Sequence, residues 1–125
     1  MTVRALVVDD AADIRLLLRE VCRLVGVEVE EAASGSDALV RLTVDPLPDL
    51  VVLDVQMPEL DGWETLAAIR RDERTHGLPV ILCSVRSRPA DLARARALGA
   101  NEVVPKPFAI EEFAQVVQQV IEGAA

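Results

Sequence analysis

Lysine is almost missing from this chain. Of 13 basic side chains in 125 residues, only Lys106 is a lysine and the other twelve are arginines. The compact ammonium and the forked guanidinium are not interchangeable, so a lysine used once against twelve arginines is a candidate for a specific task. Basic charge is scarce as a whole. The 21 acidic residues leave a formal net charge of −8 and a pI near 4.6. That balance argues against direct nucleic-acid binding, which needs a basic footprint. Long apolar runs are missing too, and none approaches the ~20 residues of a membrane span. The opening MTVRALVVDD meets acidic residues after one short apolar run and lacks the layout of a signal peptide. A cytoplasmic location and no membrane insertion are the expectations. Cysteine is limited to Cys22 and Cys83, each inside an apolar pattern and without metal-ligand spacing. They read as buried, reduced thiols. The single histidine, His76, lies beside Gly77 in a polar loop with no nucleophile paired to it. There are no repeats, linkers or low-complexity segments.

What is present is a hydrophobic fraction of 51%, the composition of a globular chain, at a length suited to one domain over residues 1–125. Five β-like runs alternate with helical patterns: Val3–Val8, Val27–Ala32, Leu50–Leu53, Val80–Cys83 and Glu102–Val104. The first, third and fourth are nearly continuous apolar, as strands covered on both faces should be. VEVEEA alternates with glutamates and reads as an edge. The short fifth run, followed by Pro105, suits the other edge. Helix signals fall between them. Ile14, Leu17, Leu18, Val21, Cys22 and Val25 form one stripe, and Gly26 stops that helix. Ser34 to Asp37 opens the second helix, and Asp61 with Glu64 has capping-box spacing for the third. Pro89 opens the fourth, which offers mainly Leu92, Leu98 and alanines to the core. Phe113, Val116, Val117, Val120 and Ile121 line the fifth. The alternation predicts a parallel sheet with helices on both faces, a flavodoxin-like (βα)5 three-layer α/β sandwich. The two edge-like runs fit the strand order 2-1-3-4-5.

In such a sheet the strands' carboxyl ends share one rim. Asp9-Asp10 follows the first run, Asp54 the third, Ser84 the fourth and Lys106 the fifth. Taken singly, these residues have ordinary readings. Asp10 would cap the first helix with Asp13 three residues on, Asp9 and Asp54 would leave strand ends, and Ser84 would start a turn. Asp61 reads as a cap and Trp63 as a packed side chain. Taken together, three carboxylates, a hydroxyl and an ammonium converge in one cleft. Close carboxylates repel unless a cation or proton joins them, and a hard divalent cation such as Mg²⁺ takes oxygen ligands and keeps room for phosphate. A metal and a lysine around one carboxylate suit a phosphoryl group carried by Asp54, since carboxylates can form aspartyl phosphates.

The segments VVDD at 7–10, LDVQMPELDG at 53–62, ILCS at 81–84, GA at 99–100 and KPF at 106–108 occur in one order and spacing. Through them the sequence resembles the receiver domains of bacterial two-component response regulators over essentially its whole length. The resemblance implies that Asp54 is the phosphoacceptor, with Lys106 paired to the phosphoryl oxygens and Ser84 hydrogen-bonded to one of them. It implies Mg²⁺ held by Asp10, an Asp54 oxygen and the Gln56 carbonyl, with Asp9 acting through metal-bound water. It also implies a sensor histidine kinase or histidine phosphotransfer domain as donor. The downstream partner would be met through the face of the fourth helix, fifth strand and fifth helix. A cis Lys106–Pro107 bond follows from the same likeness. Such a chain is not an enzyme in the ordinary sense but a phosphoacceptor regulatory domain that assists its own phosphorylation and dephosphorylation.

Three positions depart from the family pattern. Val103 stands where many receivers carry an aromatic switch, Val85 where alanine is usual, and Pro105 removes a backbone donor before Lys106. These leave phosphorylation intact and put the usual route of signal propagation in doubt. Two functions compete with the switch. One is a pseudo-receiver that binds partners without phosphorylation. The other is a Mg²⁺-dependent phosphatase or phosphotransferase, against which stands D-V-Q at Asp54 in place of D-x-D.

Overall fold

A computed structural model of the protein describes residues 2–84, 89–106 and 108–124. Five strands and five helices alternate: β1 (Val3–Val8), α1 (Ala12–Leu24), β2 (Val27–Ala32), α2 (Gly35–Arg41), β3 (Leu50–Asp54), α3 (Gly62–Arg71), β4 (Val80–Ser84), α4 (Pro89–Ala97), β5 (Glu102–Pro105) and α5 (Ile110–Ala124). All pairings are parallel, in the order β2-β1-β3-β4-β5. The fold class and strand order are those expected from the sequence. The expected cis bond at Lys106–Pro107 and the expectation at Val85 lie outside the described residues; the cis peptide among the described ones is Asp45–Pro46.

The apolar strands divide their side chains between two cores, because successive residues point to opposite faces. Leu6, Val8, Val51, Leu53, Val80 and Leu82 pack with Ala38, Leu42, Leu66, Ile69 and Ala95, the buried residues of the α2, α3 and α4 layer. Ala5, Val7, Leu50, Val52, Ile81, Cys83 and Val104 pack with Leu18, Val21 and Cys22 of α1 and Phe113, Val117 and Val120 of α5. The same alternation places polar groups. Asp54 continues the row of Leu50 and Val52 toward the α1–α5 side, and Asp9 and Lys106 follow Val7 and Val104 onto that side. Ser84 continues the row of Val80 and Leu82 toward the other layer. The register puts Val8 opposite Leu53, Asp54 opposite Cys83 and Ser84 opposite Pro105, so these ends lie level.

Helix ends follow local chemistry. Ser34 accepts the Asp37 N–H at 3.0 Å, and Asp61 with Glu64 closes a capping box at 2.9 and 3.2 Å. Gly26 and Gly99, after α1 and α4, take φ of 78° and 87°, which glycine adopts without strain. Edge strand β2 is shielded by charge, with Glu28 near Arg4, Glu30 on Arg41, and Glu31 on Arg15 and Arg19. Two expectations about packing need correction. Leu17, at the margin of the α1 stripe, is 39% exposed. In α4 the inward stripe runs through Asp91, Ala95 and Leu98 at helical spacing, and Leu92 falls to its outer side, 37% exposed. Ala95 is thus the one fully buried apolar side chain of α4 among the described residues, a small anchor.

Arg70, at the end of α3, ties down the amino ends of β4 and β5. Its guanidinium donates to the carbonyls of Gly99 at 2.8 and 3.0 Å, His76 at 2.9 Å and Leu78 at 2.6 Å, and to Asn101 Oδ1 at 3.2 Å. A lysine cannot reproduce that fork. Arg70→Lys should therefore destabilise the fold by about 1–3 kcal/mol, the cost of leaving such acceptors unpaired. Urea denaturation measures it, and a midpoint equal to wild type would contradict this account.

Candidate functional site

Each central strand is apolar to its last residues, and the chain turns polar where it leaves the sheet. Asp9, Asp54 and Ser84 are buried at 2%, 6% and 3% exposure, while Asp10 faces solvent. One ligand atom from each of Asp9, Asp10 and Asp54 lies within 4.8 Å of the others. The Lys106 ammonium donates to Asp9 Oδ2 at 3.0 Å and to Asp54 Oδ1 at 3.1 Å. The Lys106 backbone N–H is fixed by the Ser84 carbonyl at 2.7 Å, so the β4 end sets where the lysine leaves β5. Sequence spacing over 97 residues thus closes into one hydrogen bond between Lys106 and Asp9.

The reading of Asp10 as a helix cap fails, because α1 has Ala11 at its cap position with no side-chain cap bond. Asp9 Oδ1 accepts the Ala11 N–H instead, at 2.9 Å, and Asp10 is left facing outward. Gln56 contributes its N–H to Asp54 Oδ1 at 3.4 Å, and its side chain is exposed. His76 is exposed and lies in the loop before β4. Trp63 is packed on the α3 side with the Arg94 guanidinium 4.4 Å from its ring centroid. A concavity of about 470 Å³ opens beside Ser84, with Gln56, Met57, Trp63 and Arg94 in its walls. A larger one, about 990 Å³, lies among Val3, Leu47, Pro79 and Val120 at the sheet's opposite end; His76 is in its wall, and Asp9, Asp10, Asp54, Ser84 and Lys106 are not.

Charge in the cleft is unbalanced. Burial raises the Asp54 carboxyl above the usual carboxylate range; Lys106 opposes the rise and Asp9 adds to it. Burial draws the Lys106 ammonium down, but its hydrogen bond to Asp9 and the charges of Asp54 and Asp9 outweigh that and leave it raised. One ammonium therefore serves two buried carboxylates, with a third beside them. An oxygen-only donor set with excess negative charge and one solvent-facing member fits a hard divalent cation. Below the site lies Cys83, level with Asp54. Burial pushes its thiol up to about 12; Lys106 lowers it, and Asp54 and Asp9 raise it further.

The family model of the response regulator receiver domain matches residues 5–118. The chain belongs to that family. Protein PilG of Pseudomonas aeruginosa is 34% identical over 110 residues, covering 88% of this chain and 81% of that one. Response regulator MprA of Mycolicibacterium vanbaalenii is 40% identical over 113 residues, covering 90% of this receiver but 48% of that protein. This chain thus spans about half of that relative's length. Among solved structures, the receiver is similar to the chemotaxis protein CheY4 of Vibrio cholerae, with a TM-score of 0.89 at 29% identity over 96% of this chain and 99% of that one. The Francisella response regulator 1452 receiver domain gives a TM-score of 0.88 at 26% identity, over 98% of each chain. Receiver domains are regulatory phosphoacceptor domains, and no helix among the described residues of this one is long and apolar enough to cross a membrane.

In the sequence Asp61 reads as a cap and Gly62 only as the last residue of the LDVQMPELDG segment, with no role of its own. A Cβ on Gly62 would lie 2.4 Å from the Asp54 carbonyl oxygen and 2.6 Å from the Val55 Cα. The Gly62 N–H also donates to the Val55 carbonyl at 2.9 Å. The signal available was a glycine at the first position of a helix, where most residues fit. Gly62→Ala should cost about 1–3 kcal/mol through forced backbone movement. It should also slow any reaction at Asp54, whose main chain is what must shift. Chemical denaturation and reaction rate check the two halves separately.

Asp54 has a further consequence for stability. Its folded carboxyl titrates above its unfolded value, so keeping it ionised opposes folding, and that opposition is relieved as pH falls through the folded value. Asp54→Asn should raise the urea midpoint at pH 7 in chelator-treated buffer, and the gain should shrink on acidification. A lower midpoint for the variant at pH 7 would reverse the assignment.

Proposed function

We propose that this receiver is a phosphorylation-dependent switch of a cytoplasmic two-component phosphorelay, with Asp54 as the phosphoacceptor. The observation that carries the reading is the buried Asp54 carboxylate, 3.1 Å from the chain's single lysine and grouped with Asp9 and Asp10. In the proposed step an Asp54 carboxylate oxygen attacks the phosphorus of a phosphohistidine. The P–N bond breaks, its electron pair returns to the imidazole nitrogen, and the histidine is released. The donor is a sensor histidine kinase or a histidine phosphotransfer domain.

Asp10, an Asp54 oxygen and the Gln56 carbonyl would hold Mg²⁺, with Asp9 acting through bound water. Mg²⁺ when bound neutralises charge on the transferring group. Lys106 supplies a fixed positive charge on the other side, positioned by its ion pair to Asp9 and by the Ser84 carbonyl. Ser84, at the end of β4, donates its hydroxyl to a phosphoryl oxygen. The phosphoryl adds negative charge and acceptor oxygens beside Lys106 and Ser84. Helix α4, held by little more than Ala95 and Leu98, is the part with least apolar anchorage to oppose a shift. Val103 packs against the same core layer as α4 with no ring to rotate. Signal therefore passes through α4 itself to a partner on the α4-β5-α5 face.

Wild type and Asp54→Asn treated with acetyl phosphate and Mg²⁺ separate this reading from its competitors by intact mass. A stable gain of one phosphoryl in wild type and none in Asp54→Asn is expected. Equal labelling of both, or release of phosphate with rapid turnover, would overturn it. Hydrogen exchange with a phosphoryl mimic should change protection across Ala90–Leu98, and an unchanged α4 would place the switch elsewhere.

A further inference from the structure

The amino side of the site rests on one short turn, Asp9-Asp10-Ala11, between β1 and α1. Every polar group of Asp9 is engaged. Its N–H donates to the Ala32 carbonyl at 3.2 Å, Oδ1 accepts the Ala11 N–H at 2.9 Å, and Oδ2 accepts the Lys106 ammonium at 3.0 Å. Its carbonyl accepts Arg15 Nη1 at 2.7 Å. Arg15 therefore reaches back from the first turn of α1 to the end of β1. Its Nε donates to Glu31 Oε1 at 3.0 Å, and Glu31 Oε2 in turn lies 2.7 Å from Arg19 Nη2. The Arg15 side chain is 16% exposed, so this is a packed arm and not a free surface charge.

We propose that Arg15 is a positioning residue for the divalent cation. With Glu31 fixing its guanidinium, it clamps the Asp9 carbonyl and so sets the direction in which Asp10 leaves β1. The proposal rests on the reading of Asp9, Asp10 and Asp54 as the cation-binding set. Its content is a choice of sign. A guanidinium close to a cation site repels the cation through space, so a purely electrostatic Arg15 would weaken Mg²⁺ binding and its removal would strengthen it. A clamp acts the other way, because a ligand whose backbone is released loses the geometry it brings to the metal. Glu31, paired with both arginines, offsets the adverse charge and leaves the clamp.

The test is calorimetric titration of the full chain with Mg²⁺ alone, for wild type, Asp10→Ala, Arg15→Met and Arg15→Lys. Arg15→Met is expected to bind on the order of tenfold more weakly, the usual scale for losing an outer partner of a metal ligand. Arg15→Lys keeps the charge but cannot span the carbonyl and Glu31 with a planar fork, so it should also bind more weakly. Hydrogen exchange at the Ala11 amide should quicken in both, with the interior of β3 and β4 unchanged. Equal or tighter binding by either Arg15 variant, or unchanged exchange at Ala11, overturns the proposal. If Arg15→Met does not fold, Arg15→Lys decides alone. A wild type that takes up no Mg²⁺, or an Asp10→Ala variant equal to it, instead overturns the reading of the site, and the clamp with it.

Discussion

One ammonium holds two buried carboxylates together, and the rim of the sheet is organised around that shortage. Lys106 bridges Asp9 and Asp54. Neither acid is tolerable at its depth without a counter-charge, since an unpaired buried charge costs several kcal/mol. The lysine is held in turn by β4 through the Ser84 carbonyl. The ends of the three central strands, β1, β3 and β4, are thereby coupled to β5 through a single residue. Because the lysine cannot neutralise both acids and Asp10 as well, the cleft keeps an excess of negative charge. Burial raises the Asp54 carboxyl, and the neighbouring Asp9 charge adds to that rise while Lys106 opposes it.

Much of this was legible in the chain itself. The apolar runs of β1, β3 and β4 end abruptly in Asp9, Asp54 and Ser84, and continuous apolar runs belong to parallel strands covered on both faces. Parallel strands bring their carboxyl ends to one rim, so adjacency in space followed from the order of elements. The lone lysine among arginines was a compositional signal of the same site. What could not be read was of a different physical kind. Gly62 matters because another segment's backbone passes within a Cβ radius, and Arg15 because a side chain reaches back onto a main-chain carbonyl. Neither leaves a mark in hydrophobic periodicity. Leu92 was misplaced because α4 is so alanine-rich that its inward stripe, through Asp91 and Ala95, has no apolar contrast to reveal it.

The molecule divides unevenly between rigid and yielding parts. The β2 edge is laced by arginine and glutamate pairs, and Arg70 pins the amino ends of β4 and β5 with hydrogen bonds to four residues. Opposite them, α4 leans on Ala95 and Leu98, with Arg94 lying over Trp63 across the concavity beside Ser84. A cation over an indole face contributes on the order of 0.5–1 kcal/mol at an exposed site. That is a contact strong enough to set a resting position and weak enough to be given up. The fold thus concentrates its slack on the layer that Ser84 faces.

Cys83 carries a last consequence. It lies level with Asp54 in the adjacent strand, so a thiol and a carboxyl group stand side by side beneath one cation-seeking cleft. With its thiol pushed up to about 12, the sulfur stays protonated throughout the physiological range. A thiolate would be the more reactive group and would add another negative charge to a cleft already short of positive ones. Burial silences it first, and the charges of Asp54 and Asp9 reinforce that. The sulfur is therefore kept out of the chemistry of this rim by its own depth and by the charge already gathered there, whatever ligand the cleft takes.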